Sequence, residues 1–187
     1  MIIGITGTLG AGKGTVTNFL VAHKGFLHVA VSGSGFLRDE ARRRGLPLER
    51  PIYQQIANEY RAKGATGLME AVYESAKDDI ISGANIVLEP QHTAAEVAFI
   101  RSKGGIELSV DADLPIRYER IHARGSEKDH VTFEEFLAIQ TQELHSDDPN
   151  KNNLGAAIAL ADYHLTNNGT PEELFRQVEE VLKKALF

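Results

Sequence analysis

Short apolar runs alternate with amphipathic segments along the whole chain. Segments of strand length that contain apolar residues stand at 1–6, 26–31, 85–90, 106–111 and 161–167, and the first is a short run rich in isoleucine. Between them, apolar residues recur every three or four positions, which is the spacing of an amphipathic helix. Parallel neighbours in a sheet need a crossover connection, and a helix usually provides it. The alternation therefore predicts an α/β fold of three layers (α/β/α) around a five-stranded parallel sheet.

The helices are predicted from their periodicity and their end signals. They are expected at 15–23, 36–44, 93–103 and 114–123, from 132 onward and from 171 onward. A long helical pattern from Ile52 to Ser82 is interrupted near Gly64–Gly67. Thr132 and Glu135 have the spacing of a capping box, and Pro171 suits the first turn of a helix.

Length and charge narrow the class of protein. The 187 residues suit a single domain, 1–187, with a sizeable core. The net charge of −6 argues against nucleic acid as a partner. The absence of cysteine excludes disulfides and thiolate metal sites, and no apolar run reaches membrane-spanning length. The first strand begins at Met1, which leaves no room for a signal peptide. We expect a cytoplasmic protein without membrane partners, present as a monomer or a homodimer.

The stretch GTLGAGKGT, residues 7–15, carries the clearest chemistry. It lies between a predicted strand and a predicted helix, as a phosphate-binding loop does. Glycines let backbone N–H groups approach a phosphate chain closely, and the helix N-terminus adds partial positive charge. Lys13 supplies a mobile cation for the terminal phosphates, and Thr15 is the candidate for Mg²⁺. The expected ATP-binding residues here are Gly10, Ala11, Gly12, Lys13, Gly14 and Thr15.

Several segments resemble one group of kinases. The chain has no Asn-Lys-x-Asp stretch that would bind guanine. The sequence GKGT in the loop resembles that of adenylate kinase and its relatives. The segments VAVSGSGFLRDEARRRG and RYERIHARGSEKD resemble the approach to the monophosphate-binding helix and the entry to the lid in those kinases. ADYHLTNNGTPEELFRQVEEVL resembles the C-terminal strand, base-binding loop and last helix of dephospho-CoA kinases. Taken together, the chain resembles the archaeal adenylate-kinase-related proteins most.

This resemblance implies transfer of the γ-phosphoryl group of Mg·ATP to a small acceptor, a nucleoside or deoxynucleoside monophosphate. It implies an acceptor-binding helical insert at about 32–82 and a lid at about 124–153. Arg120 and Arg124 match the lid arginines and are expected to be catalytic. Asn167 and Gly169 belong to the turn that would pass beside adenine.

The acceptor side departs from the family pattern. Arg38 matches the arginine that clamps the acceptor phosphate, with Ser34 as a nearby polar group. After the strand NIVL the family expects Asp-Gly and an arginine, but this chain has Glu89, Pro90, Gln91 and His92. Glu89 is the candidate to hold Mg²⁺-bound water or to polarise the acceptor, and Gln91 and His92 are candidates for substrate binding.

Two alternatives stay open at this point. Glu89 would also suit an acceptor hydroxyl, as in phosphorylation of a dephospho-CoA-like alcohol. Arginines are missing after the strand NIVL and in the helix after the lid, where this chain has Gln140 and Gln142. These two missing positions are compatible with a nucleotide-binding regulatory module that has weak ATPase activity. The intact Lys13, Thr15 and lid arginines favour a kinase.

Overall fold

Five parallel strands form one sheet through the centre of the molecule. They are β1 (Ile2–Gly7), β2 (Leu27–Ala30), β3 (Ile86–Glu89), β4 (Ile106–Asp111) and β5 (Tyr163–Thr166). Their order across the sheet is β2-β3-β1-β4-β5. The structure is a computed structural model that describes residues 1–30, 35–124, 131–145 and 153–185. The predicted five-stranded parallel sheet is confirmed.

Helices cover both faces of this sheet. They are α1 (Lys13–Lys24), α2 (Phe36–Arg43), α3 (Arg50–Arg61), α4 (Gly67–Ser75), α5 (Lys77–Ile81), α6 (Ala94–Ser102), α7 (Leu114–Arg124), α8 (Phe133–Leu144), α9 (Leu154–Ala159) and α10 (Pro171–Ala185). Both capping boxes, at Thr93 and Thr132, hold the first turns of α6 and α8. The three-layer α/β/α arrangement is therefore also confirmed.

Two hydrophobic clusters form the core, one on each face of the sheet. On one face α1 and α10 pack against alternate residues of β1 and β4, including Ile3, Ile5 and Leu108. On the other face α3, α4 and α6 pack against Ile2 and Leu88. Because both faces are covered, all six residues of β1 are buried, which explains why the strand is a continuous apolar run.

The structure differs from the predicted helices in two places. The long helical pattern at 52–82 forms three helices, since the break near Gly64–Gly67 is followed by a second one at Ala76. Helix α9 was not predicted. Its six residues, LGAAIA, show no polar face, yet they pack against α6, α8 and β1.

The carboxyl ends of the three central strands meet at one edge of the sheet. β1 ends at Gly7, β3 at Glu89 and β4 at Asp111, and β3 and β4 are both hydrogen-bonded to β1. Ligands of open parallel sheets bind beyond this edge. Among the described helices, none has the length and hydrophobicity needed to cross a membrane.

Candidate active site

The loop between β1 and α1 has a backbone that few residues other than glycine could adopt. Gly7, Gly10 and Gly12 all have positive φ. A Cβ on Gly10 would come within 2.6 Å of the Arg117 carbonyl oxygen, and one on Gly12 would overlap Asn167 Nδ2. One side of the loop is therefore packed closely against Arg117 and Asn167. Its amide groups and the N-terminus of the twelve-residue α1 form a cradle for an anion.

Lys13 is held over this loop. Its Nζ donates hydrogen bonds to the carbonyl oxygens of Gly7 (2.8 Å) and Thr8 (3.0 Å). Burial lowers the pKa of Lys13, while the charges of Glu89 and Glu143 act in the opposite direction. The ammonium group is thus positioned before any ligand arrives, with carboxylates near it on β3 and α8.

A cavity of about 640 Å³ opens beside the loop. Its walls come from the loop and α1, from the end of β3 and from the last turn of α7. The predicted residues that line it are Gly10, Gly12, Lys13, Gly14, Thr15, Glu89, Arg120 and Arg124. The structure therefore brings the nucleotide-binding and catalytic candidates together. Ala11 is fully buried behind the loop.

Arg120 presents an unsatisfied hydrogen-bond donor. Its Nη1 is buried and has no partner within the described residues, and its Nη2 donates to Asn167 Oδ1 at 3.4 Å. The Asn167 Nδ2 in turn donates to the Ala11 carbonyl oxygen at 2.8 Å. Since an unpartnered buried donor is costly, this guanidinium fits an anionic ligand such as a phosphate. Gly169 is exposed in the turn that precedes α10, so its predicted contact with adenine stays a prediction.

Glu89 lies where β3 ends, at the edge of the cavity. Thr17 Oγ1 donates to its Oε2 at 3.4 Å, and His28 Nε2 lies 3.7 Å from the same oxygen. Within the described part of the chain, no three His, Cys, Asp or Glu side chains are grouped to hold a metal ion. The residues present fit Mg²⁺ bound through phosphate oxygens and water, with Thr15 and Glu89 as the side chains within the cavity.

The predicted acceptor residues after β3 point in different directions. Gln91 is fully buried, and its Nε2 donates to the Leu88 carbonyl oxygen inside the protein. This is a correction to its expected contact with substrate, because a side chain that faces the sheet cannot reach the cavity. His92 is partly buried, and its backbone N–H donates to Glu96 Oε2 at 2.7 Å. Burial, then the charges of Lys13 and Arg61, lower the pKa of His92 to about 4.

The basic run of α2 is mostly engaged in ion pairs. Arg42 pairs with Asp39, Arg43 with Glu40, and Arg44 with both Glu40 and Glu59. Arg38 is exposed and does not line the cavity described above. Its role towards an acceptor stays a prediction, and Ser34 lies outside the described residues.

Two arginines that no sequence motif marks, Arg61 and Arg117, also bear on this region. Arg61 ends α3 one turn after Ala57, a residue of the core cluster that contains Leu88 and Ile100. It is half-buried and has neither a hydrogen bond nor an ion pair with any other described residue. Its position follows from how α3 packs, which no local motif indicates.

Arg117 lies three residues before Arg120 on α7, and its side chain is buried. Its Nε donates to the Ala112 carbonyl oxygen at 2.7 Å, and its Nη1 donates to the Leu9 carbonyl oxygen at 3.4 Å and to Gln140 Oε1. Burial lowers the pKa of this guanidinium. Arg117 thus connects α7, the phosphate-binding loop and α8.

Comparison with known proteins agrees with this geometry. The family profile of the AAA domain matches residues 3–142. The UPF0200 protein of Pyrococcus abyssi is 30% identical over all of this chain and 98% of its own length. The UPF0200 protein of Hyperthermus butylicus is also 30% identical, over 98% of this chain and 94% of its own. The chain belongs to the UPF0200 family. A full-length match to these archaeal proteins means that the whole of this UPF0200 chain, rather than its loop alone, is shared with them.

Solved structures show the same fold at lower identity. TT1252 from Thermus thermophilus is 23% identical, with a TM-score of 0.60 over 98% of this chain and 97% of its own. Shikimate kinase from Aquifex aeolicus (18%, TM-score 0.55) covers 98% and 97%, and a gluconokinase from Sinorhizobium meliloti (15%, TM-score 0.53) covers 98% and 91%. This UPF0200 protein therefore has a P-loop kinase-like fold. The comparisons do not single out adenylate kinase.

Proposed function

We propose that this UPF0200 protein transfers the γ-phosphoryl group of Mg·ATP to a small acceptor, with a nucleoside or deoxynucleoside monophosphate as the first candidate. The observation that carries the proposal is the cavity at the phosphate-binding loop. Lys13, Arg120 and Arg124 line it from two sides, and Glu89 lies at its edge. Fixed cations around a single cavity are what phosphoryl transfer needs, because its transition state spreads negative charge over the phosphoryl oxygens.

The phosphate-binding loop indicates how ATP, the phosphoryl donor, would bind. Its amide groups and Lys13 would hold the phosphates of ATP, and Arg120 would place its buried Nη1 against a phosphate oxygen. Thr15 and water would complete the surroundings of Mg²⁺. Bound Mg·ATP supplies the phosphoryl group, whose bond to the bridging oxygen breaks as a bond to the acceptor oxygen forms. The residues of the chain contribute position and charge, and no side-chain nucleophile is required.

The acceptor side would lie between the helical insert and the end of β3. Arg38 of α2 and Arg61 of α3 have no ion pair with another residue whose side chain the structure describes. A planar guanidinium suits the phosphate of a nucleoside monophosphate. Glu89 would orient the attacking oxygen or magnesium-bound water from the other side.

A second candidate is transfer to an alcohol. Glu89 lies at the cavity, whereas Arg38 does not line it, and a carboxylate beside a hydroxyl is what an alcohol acceptor needs. Two proteins of similar fold are by name kinases of shikimate and gluconate, although likeness at this identity concerns the fold alone. A regulatory module with weak ATPase activity is the third possibility that the experiment below separates.

The deciding experiment is an acceptor screen with ATP and Mg²⁺. One arm contains nucleoside and deoxynucleoside monophosphates, a second contains small polyols, hydroxy acids and a dephospho-CoA-like alcohol, and a third contains no acceptor. Product formation in the first arm supports the proposal, and formation in the second alone supports the alcohol kinase. Slow ADP release that is unchanged by every acceptor would support the regulatory module.

Lys13→Ala provides the control for the screen. Phosphoryl transfer should be lost in this variant, with its circular dichroism and melting behaviour retained, because among the described residues Nζ bonds to carbonyl oxygens of the loop alone. If the Lys13→Ala variant kept a tenth or so of the wild-type turnover, the role of the loop in the proposal would be wrong.

A further inference from the structure

A cluster of buried acceptor oxygens lies under the sheet, on the face that α6 covers. Glu107 of β4 is 0% exposed, and neither of its carboxyl oxygens has a hydrogen-bond partner among the described residues. Gln91 Oε1 is buried and unpartnered in the same way. Most buried polar groups in proteins are hydrogen-bonded, so three such oxygens together require an explanation.

Gly4 lets these two side chains meet. It is paired with Glu107 in the register of β1 and β4. A Cβ on Gly4 would overlap Glu107 Oε2 and would lie 3.2 Å from Gln91 Oε1. The Glu107 carboxyl therefore occupies the space beside the bare backbone of Gly4, next to the side chain of Gln91. Glycine within a buried strand is unfavourable by about 0.5–1 kcal/mol relative to alanine, and this close approach accounts for its presence.

The hydrogen bonds of Gln91 fix which of its atoms faces Glu107. Its backbone N–H donates to the Ile5 carbonyl oxygen at 3.2 Å, and its carbonyl oxygen accepts from Thr6 Oγ1 at 2.9 Å. Its Nε2 donates to the Leu88 carbonyl oxygen at 3.1 Å. With the amide nitrogen engaged, Gln91 presents its acceptor oxygen towards Glu107. Two acceptors can only be joined by a hydrogen bond when one of them carries a proton.

We infer that Glu107 is a neutral carboxylic acid in the folded protein, that it donates its proton in a hydrogen bond to Gln91 Oε1, and that this buried pair positions the turn from Glu89 to His92. Gln91 is two residues from Glu89, and its bonds to Ile5, Thr6 and Leu88 tie that turn to β1 and β3. Glu107 is therefore a positioning residue for the edge of the cavity. Its effect on activity rests on the proposed function, whereas its protonation does not.

The charges around Glu107 favour the neutral form. Burial raises the pKa of Glu107 well above its ordinary value, and the carboxylates of Asp162 and Glu96 raise it further. Arg101 of α6 lowers the Glu107 pKa, but it is ion-paired with Asp162. On the β5 side, His164 Nδ1 is hydrogen-bonded to Ser109 Oγ at 2.7 Å.

The protonation can be measured directly. Protein labelled with ¹³C at the glutamate carboxyl carbon would be titrated by NMR without ligand, and the Glu107 signal identified by its loss in Glu107→Gln. We expect this signal to stay at the carboxylic-acid position at pH 7, whereas exposed glutamates titrate near their usual pKa of about 4.3. A Glu107 signal at the carboxylate position at pH 7 would overturn the inference.

The positioning role is tested with three variants of the same strand, in the assay identified by the acceptor screen. Glu107→Gln keeps the shape and a donor for Gln91, and we expect near-wild-type kcat at neutral pH with less loss of activity at alkaline pH. Glu107→Leu removes the donor, and we expect kcat to fall about tenfold with little change in the KM for ATP, since small displacements of reacting groups have effects of this size or larger. Ser109→Ala removes a different polar contact on the same face and should leave the pH profile unchanged.

The outcomes separate the two proposals. If Glu107→Leu and Glu107→Gln both behave like Ser109→Ala, the positioning role is wrong. If the wild-type protein transfers no phosphoryl group to any acceptor, the proposed function fails, and the NMR titration still decides the protonation of Glu107. Should Glu107→Leu not fold, the comparison of pH profiles between Glu107→Gln and wild type remains decisive.

Discussion

At the scale of single residues, the arginines of the helical insert differ in whether a carboxylate forms an ion pair with them. Arg42, Arg43 and Arg44 follow one another in the sequence, and all three are ion-paired with carboxylates of the helical insert. Arg61, eleven residues into α3, has no such pair with another described residue. An arginine without a carboxylate partner is better placed to bind an anionic acceptor than one that must first break an ion pair.

We therefore predict that Arg61→Ala raises the KM for a monophosphate acceptor by about tenfold or more, as loss of a charge-assisted hydrogen bond usually does. The KM for ATP should change little, because the donor cavity is lined by other residues. Arg42→Ala is the matched control, since it removes an exposed arginine of the same insert that is paired with Asp39. Steady-state kinetics with each substrate varied in turn measure both constants. An equal rise in both KM values would show that Arg61 does not act on the acceptor.

At the scale of elements, Arg117 connects parts of the chain that are distant in sequence. It belongs to α7, and its side chain reaches the loop at Leu9 and the helix α8 at Gln140. Helix α8 also carries Glu143, whose charge acts on Lys13. Arg117 is therefore one of the contacts that hold α8 near the loop, together with the packing of Tyr118 against Phe133 and Phe136.

Breaking this connection should affect stability and turnover together. Gln140→Met keeps the length of the side chain but cannot accept from Arg117, so a buried charged donor loses a partner. We expect a loss of about 1–3 kcal/mol in the free energy of unfolding, measured by urea denaturation, and a lower kcat in the acceptor assay. Gln142→Met is the control, because Gln142 is exposed on the same helix. Equal stability of the two variants would mean that the Arg117–Gln140 contact contributes nothing.

The elements also show what the sequence can and cannot predict. Strands β1 and β3 were predictable because buried parallel strands are often continuous apolar runs, and β4 was predictable from apolar residues at every second position. The loop motif placed Lys13 and Thr15 in one cavity, and Glu89 was predictable as a polar residue at a strand end. Helix α9 was not, because a short segment without a polar face has no helical period.

Other misses depend on contacts between distant parts of the chain. The side chain of Gln91 is buried beside Gly4 and Glu107, which come from two other strands. The burial of Arg117 is set by Leu9 and Gln140. Neither arrangement leaves a signal within a window of neighbouring residues, so local patterns and motifs could not predict where these two side chains lie.

At the scale of the whole molecule, two groups with shifted pKa values, His92 and Glu107, make the stability of the fold depend on pH in opposite directions. The pKa of His92 is lowered, so the unfolded chain binds a proton there more readily than the folded protein does. The pKa of Glu107 is raised, so the folded protein binds a proton there more readily than the unfolded chain. Because of His92, stability falls as the pH decreases from the ordinary pKa of histidine towards the lowered pKa of the folded protein, a range called the His92 window below. Because of Glu107, stability falls as the pH increases above the ordinary pKa of a glutamate.

The His92 window gives the last prediction. His92 has a pKa of about 4 in the folded protein against an ordinary value of 6.5. The neutral His92 ring contributes fully to the free energy of unfolding above pH 6.5. This contribution decreases as the pH falls towards 4, by at most about 2–3 kcal/mol. His92→Gln removes the titrating ring, so the difference in unfolding free energy between variant and wild type should shift in favour of the variant as the pH is lowered from 7 to 4. Glu107→Gln should show the opposite trend: its unfolding free energy should increase relative to that of the wild type as the pH rises above about 4.3. Urea denaturation of the three proteins at each pH measures these differences, and a wild-type curve parallel to that of His92→Gln would mean that His92 binds its proton equally well in both states.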